Sequence, residues 1–276
     1  MSEKRPIALI TGASAGIGAA LAQVFAEGGH ELVLVARRAD KLNALADTIA
    51  QSGRPRPIVL AADLATAAVA ERIGEELAKR DLEPQYVVNN AGFGLIGRAE
   101  ALARAEQVAM VDLNVRTLVD MSLAFTDSLV RHRGGLLNVA SIAGFLPGPG
   151  MAVYYASKAF VVSFTDALHA EFVPLGVRVT ALCPGPVPTE FQERAGIPQE
   201  YANPPLAACS PTYVARAGYR GLMAGRRRVV PGFVNKIVAE VPRFLPSGVL
   251  LKMMAAMQLR RFGEVRDRDA RSASLS

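Results

Sequence analysis

Tyr154 and Lys158 stand four residues apart in Tyr154-Tyr155-Ala156-Ser157-Lys158, a stretch that reads as helix. Positions i and i+4 share a helical face, so the phenol and the ammonium look into the same space. A free phenol titrates near 10, and bringing it to about 7 takes roughly 4 kcal/mol of preferential stabilisation of the phenolate. One cation about 4 Å away supplies on the order of 4 kcal/mol at an effective dielectric of about 20. The pair is therefore expected to make Tyr154 a usable proton donor at neutral pH. Tyr155, turned about 100° around the helix, is expected to pack or to line a pocket. His169 shares the Lys158 face but lies about 16 Å along the axis, too far for a direct part in the chemistry.

A Tyr-Lys pair moves a proton but supplies no hydride. Ile7-Ala8-Leu9-Ile10 is apolar throughout, as expected of a parallel strand covered on both faces. It runs through Thr11-Gly12-Ala13-Ser14-Ala15-Gly16-Ile17-Gly18 into an alanine-rich helical stretch, 19–27. A strand passing through glycines into a helix lets backbone approach a pyrophosphate, and the helix N-terminus turns free N–H groups and positive dipole toward it. Gly12, Ser14, Gly16, Ile17 and Gly18 are the candidate contacts, in the spacing G-x-x-x-G-x-G.

The second strand, 31–36, ends at Arg37-Arg38. At this place an acid accepts hydrogen bonds from an adenosine ribose, whereas an arginine accommodates a 2′-phosphate. Arg37 stands there and Asp40 comes too late, so NADP(H) is preferred, with NAD(H) open as the other cofactor. Asp63, at the end of strand 58–62, suits either a hydrogen bond to adenine or the cap of a helix beginning near Thr66. Strand 86–88 runs into Asn89-Asn90-Ala91-Gly92, turn residues at the end of a buried strand, where open α/β sheets bind ligands. A single helix is expected from about 107 to 130, with Asn114 among apolar neighbours, where it must satisfy local backbone or order a water chain. Strand 136–140 delivers Ser141. No G-x-S-x-G elbow surrounds that serine and no histidine follows at a usable spacing, which argues against a Ser-His-Asp hydrolase.

The ordered set Thr11-Gly12-x-x-x-Gly16-x-Gly18, Asp63-Leu64, Asn89-Asn90-Ala91-Gly92, Asn114, Ser141, Tyr154-x-x-x-Lys158 and Pro184-Gly185-x-Val187-x-Thr189 resembles the short-chain dehydrogenase/reductase family over roughly residues 5–230. The resemblance implies one Rossmann-like α/β domain, doubly wound, with a mostly parallel seven-stranded sheet and helices on both faces. It implies a catalytic tetrad of Asn114, Ser141, Tyr154 and Lys158, and cofactor contacts that include Leu64, Asn90, Ala91, Gly92 and Val187. Lys158 would reach the nicotinamide ribose, Asn90 the adenosine side, and Thr189 the nicotinamide amide. Ser141 would bind a substrate carbonyl and Tyr154 would protonate the forming alkoxide, with hydride from the cofactor. Asn114 would hold the water that resupplies the proton. In relatives the Asn114 and Tyr154 helices often build a dimer interface, so Phe160, Val161, Phe164, Leu168 and Phe172 suggest a homodimer or homotetramer as well as core.

The 276 residues are half hydrophobic, enough for a large core in one α/β domain. The formal net charge is +6, and basic residues gather between Arg226 and Lys252. No basic motif interleaved with aromatics suggests a nucleic-acid partner. Cys183 and Cys209 form neither a metal nor a disulfide pattern, which points to a reducing, cytoplasmic setting and no bound metal. The short apolar run after Met1 stops at Thr11-Gly12, unlike a secretory leader. No stretch reaches the roughly eighteen uninterrupted apolar residues of a membrane span.

Residues 1–232 are expected to form the catalytic unit, with an irregular lid-like loop at about 184–211. Together with Phe145-Leu146-Pro147-Gly148-Pro149-Gly150-Met151 the loop suggests an apolar pocket for a hydrophobic ketone or aldehyde. Residues 233–276 read as a C-terminal helical extension with a frayed, polar end. Its apolar residues Val249, Leu250, Leu251, Met253, Met254, Met257 and Leu259 lie beside Lys252, Arg260 and Arg261. Packing on the pocket or a partner subunit is favoured there over peripheral membrane contact. Two other functions fit the same fingerprint: a non-catalytic NADP(H)-binding regulatory protein, and a lyase or epimerase that uses the cofactor transiently.

Overall fold

The run Ile7 to Ile10 does become a strand with both faces covered. The computed structural model describes residues 4–197, 204 and 206–258. In it β1 (Arg5–Thr11) sends Ile7 and Leu9 into one core layer and Ala8 and Ile10 into the other. This is the period-two alternation of a strand, with apolar residues on both faces because helices cover both. The other strands are β2 (Leu32–Ala36), β3 (Ile58–Ala61), β4 (Leu82–Asn89), β5 (Gly135–Val139), β6 (Arg178–Leu182) and β7 (Arg228–Val229). They form one sheet in the order β3-β2-β1-β4-β5-β6-β7, and every pair is parallel. The chain moves outward from β1 to β3, then returns to the other side of β1. That reversal opens a crevice at the carboxyl ends of β1 and β4, the place where such sheets take ligands.

One face is covered by α1 (Gly16–Glu27) and α2 (Ala39–Gln51), which supply Leu21, Phe25 and Leu42 to the core. The other is covered by α3 (Val69–Ala78) and by helices that follow β4, through Ile73, Leu77, Met121, Leu129, Leu168 and Phe172. The expected doubly wound, seven-stranded fold is observed as a single domain.

The expected helix 107–130 is not continuous. It comprises α4 (Arg104–Val111), a π-turn at Asp112–Thr117, α5 (Leu118–Ala124) and α6 (Thr126–Arg131). The Ser122 hydroxyl donates to the Leu118 carbonyl, and that of Thr126 to Leu123, the kind of back-bonding that bends a helix. The π-turn carries Asn114 inward, a feature common at functional sites. Hydrophobic spacing misses both breaks because each side of them stays helical.

Beyond β5 come α7 (Ala152–Phe172), α8 (Glu190–Ala195), α9 (Pro211–Met223) and α10 (Phe233–Glu240). α9 joins the first face through Val214 and Leu222. The 184–211 loop thus holds a short helix, although 198–203 and 205 lie outside the described residues. Residues 247–258 are helical; Leu259, Arg260, Arg261 and the tail lie outside the described residues. Among the described residues no helix is long and apolar enough to cross a membrane.

Candidate active site

The glycine turn is clamped from β4. Thr11 donates its hydroxyl to the Val88 carbonyl and accepts the backbone N–H groups of Asn90 and Ala91. The Asn90 amide donates to the carbonyls of Thr11 and Gly12, each at 3.1 Å. The approach leaves no room for side chains: a Cβ on Gly18 would lie 2.3 Å from the Gly12 oxygen and 2.4 Å from Asn90 Nδ2. Gly12 also sits at φ +64°, where a side chain is strained. Asn90, expected on the adenosine side, spends its amide holding the turn. No side chain caps the N-terminus of α1 at Ala15, and no acid stands in its first turn, so its N–H groups suit a phosphate.

At the far end of the crevice lie Ser14, Arg37, Arg38, Asp63 and Leu64. Arg38 bonds the Ser14 hydroxyl at 3.1 Å and pairs with Glu190 at 2.8 Å. Arg37 is exposed, with no ion-pair partner among the described residues. Arg194 of α8 lies over the Phe93 ring at 4.7 Å, and its pKa is lowered by burial and then by the charges of Arg37 and Arg38. Asp63 accepts the Ala65 N–H at 3.0 Å, a local turn cap. The following helix starts at Val69 rather than near Thr66. Arg194 and Glu190 escape a reading by local sequence, because only the fold of the 184–197 segment brings them beside Arg37 and Arg38.

The proton-handling end is assembled from β5 and α7. Ser141 follows β5; its hydroxyl accepts the Ala143 N–H at 3.1 Å, donates to the Pro184 carbonyl at 3.4 Å, and stands close enough to the Tyr154 phenol to draw its pKa down. Lys158 is 5 % exposed and donates from Nζ to the Val139 carbonyl at 2.9 Å. Nζ stands 5.9 Å from the centre of the Tyr154 ring.

The register of the pair is as expected, but its titration is not. Burial pushes the phenol up to about 12, against a smaller downward pull from Ser141, and burial brings the Lys158 ammonium down to about 8. The expected lowering of Tyr154 toward neutrality is therefore not produced by the protein's own groups, since desolvation outweighs the downward pull of Ser141. A protonated phenol is still the form needed to donate to an alkoxide, a stronger base than phenolate.

Asn114 is 1 % exposed. Its side chain donates to the Phe93 carbonyl at 2.9 Å and to Ser157 at 3.1 Å, and accepts the Phe93 N–H at 3.1 Å. The side chain of Asn114 is thus spent on the Phe93 backbone and on Ser157, both distant in sequence. His169 bonds the Val179 carbonyl at 2.7 Å, away from the site.

Residues 6–199 match the family described as short chain dehydrogenase. The chain belongs to that family. Sulfoacetaldehyde reductase 2 from Chromohalobacter salexigens is 38% identical over 188 residues, 67% of this chain and 74% of that protein. An NADP-dependent 3-hydroxy acid dehydrogenase from Salmonella typhi is 36% identical over 190 residues, 67% of this chain and 74% of that protein. A solved short-chain dehydrogenase from Sphingobium yanoikuyae, in complex with NADPH, aligns with TM-score 0.76 and 30% identity over 91% of this chain and 96% of that one. The resemblance read from the motifs is thus borne out, and the protein is an oxidoreductase of the short-chain dehydrogenase class.

The cavity of this short-chain dehydrogenase is continuous and holds about 1170 Å³. It runs from Arg37 past Gly12, Gly16, Ile17, Asn90, Ala91 and Gly92 to Ser141, Tyr154 and Lys158, with Val187 and Thr189 alongside. Gly18 and Asn114 stand behind its wall. Beyond Tyr154 the lining turns apolar, with Leu95, Ile96, Leu146, Met151, Phe191 and Ile197. Of the 145–151 stretch only Leu146 and Met151 line it; Phe145 instead lies under the Arg228 guanidinium at 5.4 Å. Tyr155 lines the pocket, and its ring fits because Gly148 has no Cβ, which would stand 2.1 Å from Tyr155 Cγ. Gln258 closes the far side from beyond the family match.

Proposed function

We propose that this chain reduces a hydrophobic ketone or aldehyde to the alcohol, reversibly, with NADP(H) as the preferred cofactor. The observation that carries the reading is Ser141 placed beside the Tyr154 phenol with Lys158 one turn on, set between an apolar pocket and a cavity that ends at Arg37, which has no ion pair among the described residues. The glycine cradle, the uncapped N-terminus of α1 and Arg37 fit a phosphorylated dinucleotide, whose nicotinamide supplies the hydride.

Ser141 holds the carbonyl oxygen and Tyr154 gives it a proton as negative charge develops there. Lys158 offers its ammonium to the cofactor ribose and toward the phenol. Asn114 fixes Phe93 and Ser157 around them, and water held nearby resupplies the proton. Asn90 shapes the glycine turn, and Asp63, Leu64 and Val187 border the cofactor, with Thr189 toward its amide. Exposed Val108, Val111, Leu123 and Phe160 on α4, α5 and α7 support a homodimer or homotetramer.

A matrix of NADPH and NADH against aliphatic, aromatic, steroidal and 3-oxoacyl carbonyls tests the reading. Alcohol formed in step with NADPH consumed is expected. Cofactor binding without turnover across the panel would instead favour a regulatory binder, and product without net NADPH loss a lyase or epimerase.

A further inference from the structure

From Phe233 onward the chain turns a large apolar surface outward. Phe233, Ile237, Val241 and Phe244 recur at one helical stripe, and Phe233 and Phe244 are 78% and 83% exposed. The opposite side of α10 is satisfied, since Asn235 and Ala239 are buried and Asn235 bonds the Ala207 and Pro231 carbonyls. Helix 247–258 repeats the arrangement: Met254 and Gln258 face inward while Met253 and Met257 stay about half exposed. Exposed apolar area on this scale is unusual on a protein with no partner for it.

Charge decides which partner fits. Lys236 and Lys252 stand among these residues with no ion pair among the described residues, and Arg243 pairs only with Glu240. From Phe233 to Ser276 the sequence has eight Lys or Arg against four Asp or Glu, +4 of the formal +6. A second copy docking symmetrically would set this basic surface against itself. An anionic lipid surface takes both parts, its headgroups meeting the lysines and its acyl boundary the phenylalanines and methionines.

We propose that α10 and helix 247–258 form an interfacial docking surface for an anionic bilayer. The surface continues into the pocket, because the helix that carries Met253 and Met257 also sets Gln258 on the cavity wall. Docking would bring the substrate end of the cavity to the lipid boundary. It stands apart from the reductase reading, since binding is measured without turnover.

The test is sedimentation of the full chain with vesicles of phosphatidylcholine alone or with about 30% phosphatidylglycerol, in low and high salt. The expected result is binding at least tenfold stronger to the anionic vesicles and weakened by salt. The paired substitution Phe233→Ser and Phe244→Ser should weaken it tenfold or more, leaving NADPH oxidation with a water-soluble carbonyl within twofold. A chain that stays in the supernatant with both vesicles overturns the proposal, as does binding indifferent to the two phenylalanines. A paired variant that changes oligomeric mass by light scattering, without changing vesicle binding, assigns the face to a second copy and also overturns it.

Discussion

Gln258 donates from Nε2 to the Tyr155 hydroxyl at 2.9 Å, tying the C-terminal helix to the residue that follows Tyr154. Its Oε1 is buried with no partner among the described residues, so within them the amide holds the pocket wall at some cost. Gln258→Met, which keeps the volume and removes the orphaned acceptor, should change unfolding free energy by less than about 1 kcal/mol. Gln258→Ala should cost more and should alter KM for bulky carbonyls while leaving kcat for small ones nearly unchanged. Urea unfolding and kinetics on a size-graded ketone series measure both. Equal losses on small and bulky substrates would deny Gln258 its place on the substrate side.

Gly18→Ala places a methyl group against the Gly12 carbonyl and the Asn90 amide. Backbone cannot yield there without moving the turn, so dinucleotide affinity should fall at least tenfold while the remaining fold persists. Titration by NADPH fluorescence measures the loss, with circular dichroism as the control for folding. Unchanged affinity would mean that the turn does not carry the cofactor.

Lys158 makes stability depend on pH in a definite direction. Its ordinary pKa is 10.5 and its folded value about 8, so between these the unfolded chain holds a proton that the native chain has released. Stability therefore rises with pH across this window, by about 3 kcal/mol for this group in the limit. Below pH 8 both states are protonated and the burial cost is present in full. Lys158→Met should be relatively more stable than wild type at pH 7.5 and lose that advantage by pH 10. Chemical denaturation at the two pH values reads the difference, and parallel pH profiles would refute it.

Asn138 occupies the centre of a buried polar chain. Asn89 donates to Ser122 at 3.0 Å and to Asn138 at 2.9 Å, and Asn138 donates to Thr165 at 3.0 Å. Asn138→Leu leaves Asn89 short of an acceptor in a dry core, at an expected cost of about 3 kcal/mol. A thermal midpoint within a degree or two of wild type would contradict this account.

Arg37→Ala should lower kcat/KM with NADPH by tenfold or more and leave NADH nearly unaffected, because only the former presents a 2′-phosphate. Arg38→Ala has a second effect: it leaves Glu190 paired with Lys41 alone, so part of its loss should reflect a looser α8. Steady-state kinetics with both cofactors separate the two. A similar loss with NADH after Arg37→Ala would remove that residue from cofactor choice.

What the sequence determined by itself was local or periodic. The apolar strands, the glycine turn and the four-residue spacing of Tyr154 and Lys158 follow from backbone geometry, and their order along the chain was specific enough to give fold and family. The tertiary structure decided where each amide and charge is spent. Asn114 turns to Phe93 and Ser157, Asn90 to the glycine turn, and Arg38 to Glu190, partners distant in sequence that become neighbours only when β4, α7 and α8 converge. It also reversed the expected titration of Tyr154. A cation four residues away can be read from a sequence, but desolvation sums over everything that folds around the phenol, and here it is the largest influence on that group.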